Sequence, residues 1–392
     1  MLLESYYLDA CSSTPLHPKV IEKINLVNTK FYGNPSSIHI HGIESAKILE
    51  SARLEIASSL NASYEDIIFT SGSTESINLA IKGVCSTLKP GRIVVSEVEH
   101  SAVNNAVESL VKTDWSIEKW PVDQSGNLRI EFIDKLLSPP TRIVSLIYAQ
   151  SEIGTIQPIE LIAEECKSRD IIFHTDATQL IPHSLIDFKR SSIDLLTASA
   201  HKFQGPKGIG FLLSKKNVRS KLKPILLGGP QEFGYRAGTE PVALIAGMNI
   251  ALGLIKDNSD FKNNPVIFNK SNVSQITKKL LDLLSEIRGL KYIGNEFNRN
   301  RIPNHISLLV SDKCGNPISS RSLVRKLSNK GISVSSGSAC NSSALDTNQT
   351  LKAMKYEEKW LASFLRISTG SWIDINSVDR IAEIFRQVLS EE

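Results

Sequence analysis

Lys202 is the residue with the clearest capacity for covalent chemistry. It lies just past a mostly apolar run, 193–198, that is typical of a buried strand, and Ser199 and His201 come directly before it. Glycines at positions 205, 208 and 210 follow, and they let the backbone turn sharply and approach a ligand. A lysine in this setting can form a Schiff base with an aldehyde cofactor. A surface lysine in a hairpin is the simpler interpretation of any single lysine, so the rest of the chain must decide.

Small hydroxyl residues begin a predicted helix after another strand. The apolar run 66–70 is followed by Ser71, Gly72, Ser73 and Thr74, and apolar residues at helical spacing come next. A helix N-terminus offers unpaired N–H groups and a favourable dipole to a phosphate. Plain N-capping explains the same residues equally well, so both interpretations stay open.

Three further polar residues stand at strand ends or in turns. His100 follows the strand 92–96, Asp176 follows the strand 171–175, and Asn34 precedes a proline. Residues at the ends of parallel strands face the side of an α/β sheet where ligands bind. Asp176 suits a pyridinium nitrogen, a helix N-cap, or both. Taken singly, His100 is more simply a hydrogen-bonded loop residue and Asn34 a turn former.

The elements that must position these residues alternate along the first two thirds of the chain. Strands followed by amphipathic helices indicate an α/β fold with a mostly parallel sheet flanked by helices. An Asn-, Lys- and Ser-rich stretch, 256–272, then predicts a linker or surface excursion. A second unit of helices and strands follows and ends in an amphipathic helix.

Composition limits the classes of function. A chain of 392 residues is long for one hydrophobic core, and its 41% hydrophobic and 22% charged content is that of an ordinary soluble globular protein. A net charge of +4 without a Lys/Arg block gives no case for DNA binding, and the apolar runs are too short to span a membrane. The five cysteines form no CxxC pair, so we expect neither disulfides nor a metal site, and a reducing, cytoplasmic location.

Six motifs occur together and in order: Thr70–Ser76, Glu99–His100, Asp176–Gln179, Ser199–Lys202, Arg236–Thr239 and Ser335–Cys340. Together they resemble those of the pyridoxal-phosphate-dependent cysteine desulfurases, of the nitrogen-fixation and iron–sulfur-cluster type, within the class-V aminotransferase superfamily. The resemblance runs from about Leu8 to the C-terminal helix. It implies the type I fold of pyridoxal-phosphate-dependent transferases, with a large cofactor-binding domain at 14–257. A smaller α+β domain, formed by 1–13 and 258–392, would carry the catalytic cysteine loop.

The resemblance implies roles around pyridoxal 5'-phosphate. Lys202 would be the Schiff-base lysine and proton shuttle, and His100 would stack on the ring and act in acid–base steps. Asp176 would pair with the pyridine nitrogen, and Gln179 would hydrogen-bond the phenolic oxygen. The remaining cofactor-binding residues are Ser73, Thr74, Ser151, Ser199, His201 and Thr239.

Two implied roles extend beyond the cofactor. Thr239 would hold the phosphate of the neighbouring subunit's cofactor, which implies a homodimer with shared active sites. Asn34 and Arg366 would bind the α-carboxylate of the substrate L-cysteine, Arg366 by a two-pronged ion pair.

Cys340 is the other expected reaction centre. Its thiolate would attack the sulfur of the cysteine–cofactor adduct and leave alanine and an enzyme persulfide. The small polar residues around it suit a mobile loop that carries sulfur to an acceptor protein, which the sequence does not name. The sulfur would serve iron–sulfur clusters, thiolated tRNA or other cofactors. The other four cysteines are expected to be buried core residues.

The chain departs from the family pattern at two positions. Ser151 replaces an asparagine that usually reaches the cofactor or the substrate carboxylate, and Gln204 stands where a tyrosine is common. Since serine is shorter and offers one donor, we expect altered substrate binding without loss of the cofactor. A Ser151→Asn variant with no better apparent affinity for cysteine would contradict this expectation.

Two alternatives remain. One is a sister enzyme such as a selenocysteine lyase or another class-V aminotransferase or lyase. The other is a catalytically impaired protein that binds the cofactor and its partners. Ser151 supports the impaired protein, and intact Lys202, Asp176, His100 and Cys340 argue against it.

Overall fold

A seven-stranded sheet carries most of the candidate residues. The computed structural model describes residues 5–257, 271–297, 300–337 and 348–391. The strands of this sheet are β2 (Ile67–Thr70), β3 (Arg92–Ser96), β4 (Ser116–Trp120), β5 (Thr141–Ile147), β6 (Ile172–Asp176), β7 (Leu195–Ser199) and β8 (Gly210–Ser214). Their order is β2-β8-β7-β6-β5-β3-β4, and β8 alone among these strands runs antiparallel to the other six. The predicted mostly parallel sheet is confirmed.

Helices cover both faces of this sheet because its strands are apolar on both faces. Val94 of β3 packs into one apolar cluster, whereas Ile93 and Val95 pack into another. Alternate residues of a strand point to opposite faces, so each cluster requires its own layer of helices. The helices of this part are α1 (Pro18–Lys30), α2 (Ile40–Ser59), α3 (Ser73–Cys85), α4 (Ser101–Glu108), α5 (Ile133–Leu137), α6 (Ile159–Ser168), α7 (Lys216–Arg219) and α8 (Val242–Asp257).

A smaller antiparallel sheet forms from later residues. It consists of β9 (Leu290–Tyr292), β10 (His305–Val310) and β12 (Phe364–Ser368), in the order β12-β10-β9. The helices of this part are α9 (Asn272–Ser285), α10 (Ser320–Asn329), α11 (Gln349–Ala353) and α12 (Val378–Ser390). A third apolar cluster lies here and includes Leu308 and Phe385.

The start of the described chain joins this smaller unit. Strand β1 (Tyr6–Tyr7) pairs in parallel with β11 (Ile332–Ser333), and Tyr6 and Leu8 belong to the same apolar cluster as Leu308. The exact domain boundaries stay a prediction.

Two other properties bear on the sequence analysis. Within the described ranges, no helix is long and apolar enough to cross a membrane. Cys11, Cys85 and Cys166 are buried as expected, but the expectation is wrong for Cys314, which is exposed. Cys314 lies in a turn where the Asp312 carboxylate accepts its backbone N–H at 2.8 Å, and such turns lie at the surface.

Candidate active site

Lys202 lies in a short 3₁₀ turn, Ala200–Lys202, directly after β7. Its Nζ donates hydrogen bonds to the carbonyl oxygens of Cys11 at 2.6 Å and Ser12 at 2.8 Å. Burial lowers the pKa of Lys202 from the ordinary 10.5 to about 8. A lysine with this pKa holds a substantial fraction of neutral, nucleophilic amine near physiological pH.

Asp176 ends the neighbouring strand β6. Its Oδ1 accepts hydrogen bonds from the backbone N–H of Thr178 at 3.1 Å and from the hydroxyls of Thr178 and Thr197. In the part of the chain that the structure describes, no hydrogen bond reaches Oδ2, which can therefore accept from a ring N–H. The Thr178 hydroxyl also lies 2.6 Å from the Ser73 hydroxyl, and this contact links Asp176 to the start of α3.

The N-terminus of α3 is not capped by a side chain, so its backbone N–H groups are available to a ligand. Gly72 is the N-cap, has φ +148°, and no side chain caps the helix. A Cβ at Gly72 would lie 3.3 Å from the Ser199 hydroxyl, so a larger residue would fill the space between α3 and β7. The adjoining N–H groups, together with the Ser73 and Ser199 hydroxyls, make a donor set suited to a phosphate. Thr74 follows in the first turn and is exposed.

Three other predicted residues surround this edge of the sheet. His100 caps α4, and its Nδ1 accepts the backbone N–H of Ala102 at 3.1 Å, which leaves Nε2 to exchange protons. The side-chain amide of Gln179 donates to the Cys11 carbonyl at 2.8 Å, the same oxygen that Lys202 contacts. Burial, followed by nearby Lys202 and Lys207, lowers the pKa of His201 to about 4, so His201 is neutral at physiological pH.

The sequence analysis missed one element of the site, residues 9–14, which we term the N-terminal strap. Its carbonyls hold Lys202 and Gln179, and its side chains contact Arg366 and His201. One sequence pattern could have indicated the strap: the run Cys11-Ser-Ser-Thr14 places small polar residues directly after a short strand. The same pattern predicted the Ser73 and Ser199 positions.

Arg366 lies on β12 and is buried, with 3% of its side chain exposed. Its Nη2 donates to the Asp9 carboxylate at 2.8 Å and to the Ser12 hydroxyl at 2.6 Å. Its Nη1 donates to the Ser151 carbonyl at 3.0 Å, and Nε is buried without a partner among the described residues. The His305 Nε2–H donates to the same Ser151 carbonyl at 3.2 Å. Ser151 therefore contributes its backbone to the arginine contact.

Asn34 and Thr239 are not brought to this cluster within the described chain. Both are exposed, and the Asn34 side chain accepts the backbone N–H of Ser36 at 2.9 Å. The loop that carries Thr239 is anchored by a buried ion pair, in which Arg53 Nη1 donates to Glu232 Oε2 at 3.0 Å.

Cys340 lies outside the described residues. The segment before Cys340 is held at Ser335, whose backbone carbonyl accepts the Arg366 backbone N–H at 2.7 Å. The chain after it is held at Thr350, whose hydroxyl accepts from the Gln150 amide at 3.1 Å and donates to the Glu152 carboxylate. The flank before the segment therefore contacts Arg366, and the flank after it contacts the two neighbours of Ser151 in the sequence.

The donor set fits pyridoxal phosphate. A low-pKa amine, a carboxylate oxygen without a described partner and an uncapped helix N-terminus lie along one edge of a mostly parallel sheet. They match the aldehyde, the pyridine nitrogen and the phosphate of that cofactor. The fold and the site thus define a pyridoxal-phosphate-dependent enzyme.

Comparisons with known proteins agree with this class. The family model for aminotransferase class-V matches residues 6–381. The chain is 34% identical over 389 residues to a cysteine desulfurase IscS of Dictyoglomus turgidum, covering 98% of this chain and 94% of that protein. It is 38% identical over 371 residues to a putative cysteine desulfurase IscS 1 of Bacillus subtilis, covering 94% of each. A solved NifS-like protein superposes with a TM-score of 0.87 at 30% identity, covering 99% of this chain and 100% of the other.

The chain belongs to the aminotransferase class-V family. The predicted family, type I fold, enzyme class and cofactor are therefore confirmed. The relatives' names agree with the predicted activity and do not favour a selenocysteine lyase or an impaired binding protein. The individual roles of the site residues stay predictions.

Proposed function

We propose that this protein is a cysteine desulfurase that converts L-cysteine to L-alanine and retains the sulfur as a persulfide on Cys340. The observation that carries the proposal is the Lys202 amine, which has a lowered pKa and lies at the strand end beside β6 and Asp176. The names of the relatives, which cover nearly the whole chain, support cysteine as the substrate.

Different residues of the site have different roles in the proposed reaction. Pyridoxal phosphate, when bound, supplies an electron sink for negative charge that develops on the substrate. Asp176 holds the ring nitrogen protonated, Lys202 moves protons at the substrate carbon, and His100 exchanges a proton through Nε2. Arg366 binds the substrate carboxylate.

Cys340 completes the sulfur transfer. Its thiolate attacks the substrate sulfur and forms an S–S bond while the substrate C–S bond breaks. The electron pair of that bond stays on the carbon, which takes a proton and leaves as the methyl group of alanine. No external oxidant is needed, because the sulfur is oxidised and the carbon is reduced in the same step.

We also propose a homodimer in which each Thr239 reaches the partner's cofactor. Large apolar side chains are exposed in the two segments of the chain that carry Asn34 and Thr239, namely Tyr32, Ile38 and Ile40 in the first and Leu227 and Phe233 in the second. Ile38 is 95% exposed and Leu227 is 85% exposed, which is costly unless a partner covers them. A second copy would bury these residues and bring its cofactor to Thr239, which the described part of its own chain leaves exposed and apart from the Lys202 cluster.

The remaining parts of the proposal concern the fate of the sulfur. We propose transfer to an acceptor protein in the cytoplasm, for iron–sulfur clusters, thiolated tRNA or other cofactors. The four cysteines within the described residues are free thiols, which supports a reducing compartment.

Alanine and sulfide release from L-cysteine, with a reductant present, tests the proposal. Wild type should form both products, and a Cys340→Ala variant should form neither while it keeps the visible absorbance of the bound cofactor. Cys314→Ala is the matched control, because Cys314 is an exposed free thiol with no predicted role in the reaction, and this variant should behave as wild type. Equal sulfide release by the Cys340→Ala variant would refute the assignment of the persulfide to Cys340.

A further inference from the structure

We propose that Asp9 competes with the substrate carboxylate for Arg366, so that substrate binding exchanges one carboxylate for another. The inference rests on the proposed function, because it takes Arg366 as the carboxylate-binding residue. It concerns the Asp9–Arg366 ion pair at 2.8 Å and the Ser12 hydroxyl beside it.

The first argument comes from the hydrogens of the guanidinium group. An arginine has five N–H donors, two on each Nη and one on Nε. Both Nη2 donors are used here, by Asp9 and by Ser12, and one Nη1 donor is used by the Ser151 carbonyl. Nε–H and one Nη1–H remain, and they point to opposite sides of the group.

A two-pronged carboxylate cannot use these two remaining donors together. It needs two parallel N–H bonds on one edge, either from both Nη atoms or from Nε and Nη2. Nη2 belongs to both edges, so a substrate carboxylate must displace Asp9 or Ser12. The guanidinium edge needed for the two-pronged ion pair that the family resemblance implies is therefore already half occupied by the protein itself.

The second argument comes from burial and charge. Arg366 has 3% of its side chain exposed, whereas Asp9 has 19% exposed, so Asp9 is the member of the pair that can turn toward water. Nε of Arg366 is buried without a partner among the described residues, and a carboxylate on the Nε–Nη2 edge would satisfy it. Asp9 also cancels the positive charge that attracts a substrate carboxylate, whereas Ser12 leaves that charge unchanged.

Equilibrium binding to the holoenzyme tests the exchange. L-Alanine and ethylamine are titrated separately into the holoenzyme, and binding is followed by calorimetry. L-Alanine carries the carboxylate and ethylamine lacks it. In Asp9→Asn the amide oxygen still accepts from Nη2 but the negative charge is gone, so the Kd of L-alanine should fall roughly fivefold or more. The Kd of ethylamine reports any effect of Asp9→Asn on the Lys202 site alone, so the Kd ratio of L-alanine to ethylamine should fall. Glu383→Gln removes one negative charge from an exposed ion pair elsewhere and should leave both affinities unchanged.

An unchanged or higher Kd of Asp9→Asn for L-alanine would overturn the proposal and make Asp9 a residue that only orients Arg366. If Asp9→Asn does not fold, Ser12→Ala decides, because it frees one Nη2 donor and should also lower the Kd for L-alanine. These binding measurements need no turnover. A failure of the proposed exchange can therefore be distinguished from a failure of the proposed cysteine desulfurase activity.

Discussion

The hydrogen bonds of the Lys202 amine and its burial shift its pKa in opposite directions. The carbonyls of Cys11 and Ser12 accept hydrogen bonds and therefore favour the ammonium form, while burial favours the neutral form. Burial outweighs the other effects, since the pKa is lowered to about 8. Lys202 can consequently give and take a proton near physiological pH, as a proton shuttle must.

The rate at which the cofactor-free protein captures pyridoxal phosphate should follow the neutral fraction of Lys202. We expect the rate to rise with pH up to about 8 and then to level off, because the neutral amine is the nucleophile. Below this pKa the rate should fall about tenfold per pH unit. Stopped-flow absorbance over a pH series measures it, with Lys202→Ala as the control that forms no covalent product. A rate that still rises above pH 10 would mean that Lys202 keeps an ordinary pKa.

At the scale of elements, the turn between β2 and α3 depends on a glycine. Gly72 has φ +148°, a backbone region that alanine rarely adopts, and its Cβ would meet the Ser199 hydroxyl at 3.3 Å. We expect Gly72→Ala to destabilise the protein by roughly 1–3 kcal/mol and to weaken cofactor binding. Thermal unfolding of the cofactor-free protein and a cofactor titration measure the two effects.

Gly253→Ala is the matched control. Gly253 lies within α8, and a Cβ there would meet nothing within 4 Å. Alanine is the better helix former, so this change should be neutral or should stabilise by up to about 1 kcal/mol. Equal losses of stability in the two variants would contradict the assigned role of the Gly72 backbone.

Local patterns predicted the elements of the large sheet and the residues at its edge. Apolar strands followed by polar clusters placed Ser73, Asp176 and Lys202 on one edge, and the parallel strand order explains why these positions meet. Local sequence patterns could not predict that Asp9 already binds Arg366. It depends on Asp9 meeting a residue 357 positions away, and no local periodicity encodes a contact of that range.

At the scale of the whole molecule, the proposed homodimer with shared active sites predicts a rescue between two inactive variants. Lys202→Ala and Thr239→Asp should each be inactive as homodimers, through loss of the amine and repulsion of the phosphate. A mixed dimer would hold one site with both changes and one intact site. Random mixing should therefore restore about a quarter of wild-type activity, because half of the dimers are mixed and each has one good site.

A second mixture controls for this rescue. Lys202→Ala mixed with Asp176→Asn should stay inactive, because both residues act in the same copy and each site of the mixed dimer carries one change. The measurement is alanine formation after the variants are unfolded and refolded together. Absence of rescue in the first mixture would exclude a shared site that depends on Thr239.

The N-terminal strap has a consequence for how the protein is made. The Cys11 N–H donates to the Ser368 hydroxyl at 2.9 Å, so the strap is fixed in part by a residue that is synthesised 357 positions later. At 5–20 residues per second, roughly 20 to 70 seconds separate the two events on the ribosome. Throughout that interval the strap lacks its contacts with Ser368 and Arg366, although Gln179 and Lys202 are already synthesised. Cofactor loading should therefore be complete only after the segment through Ser368 has been synthesised.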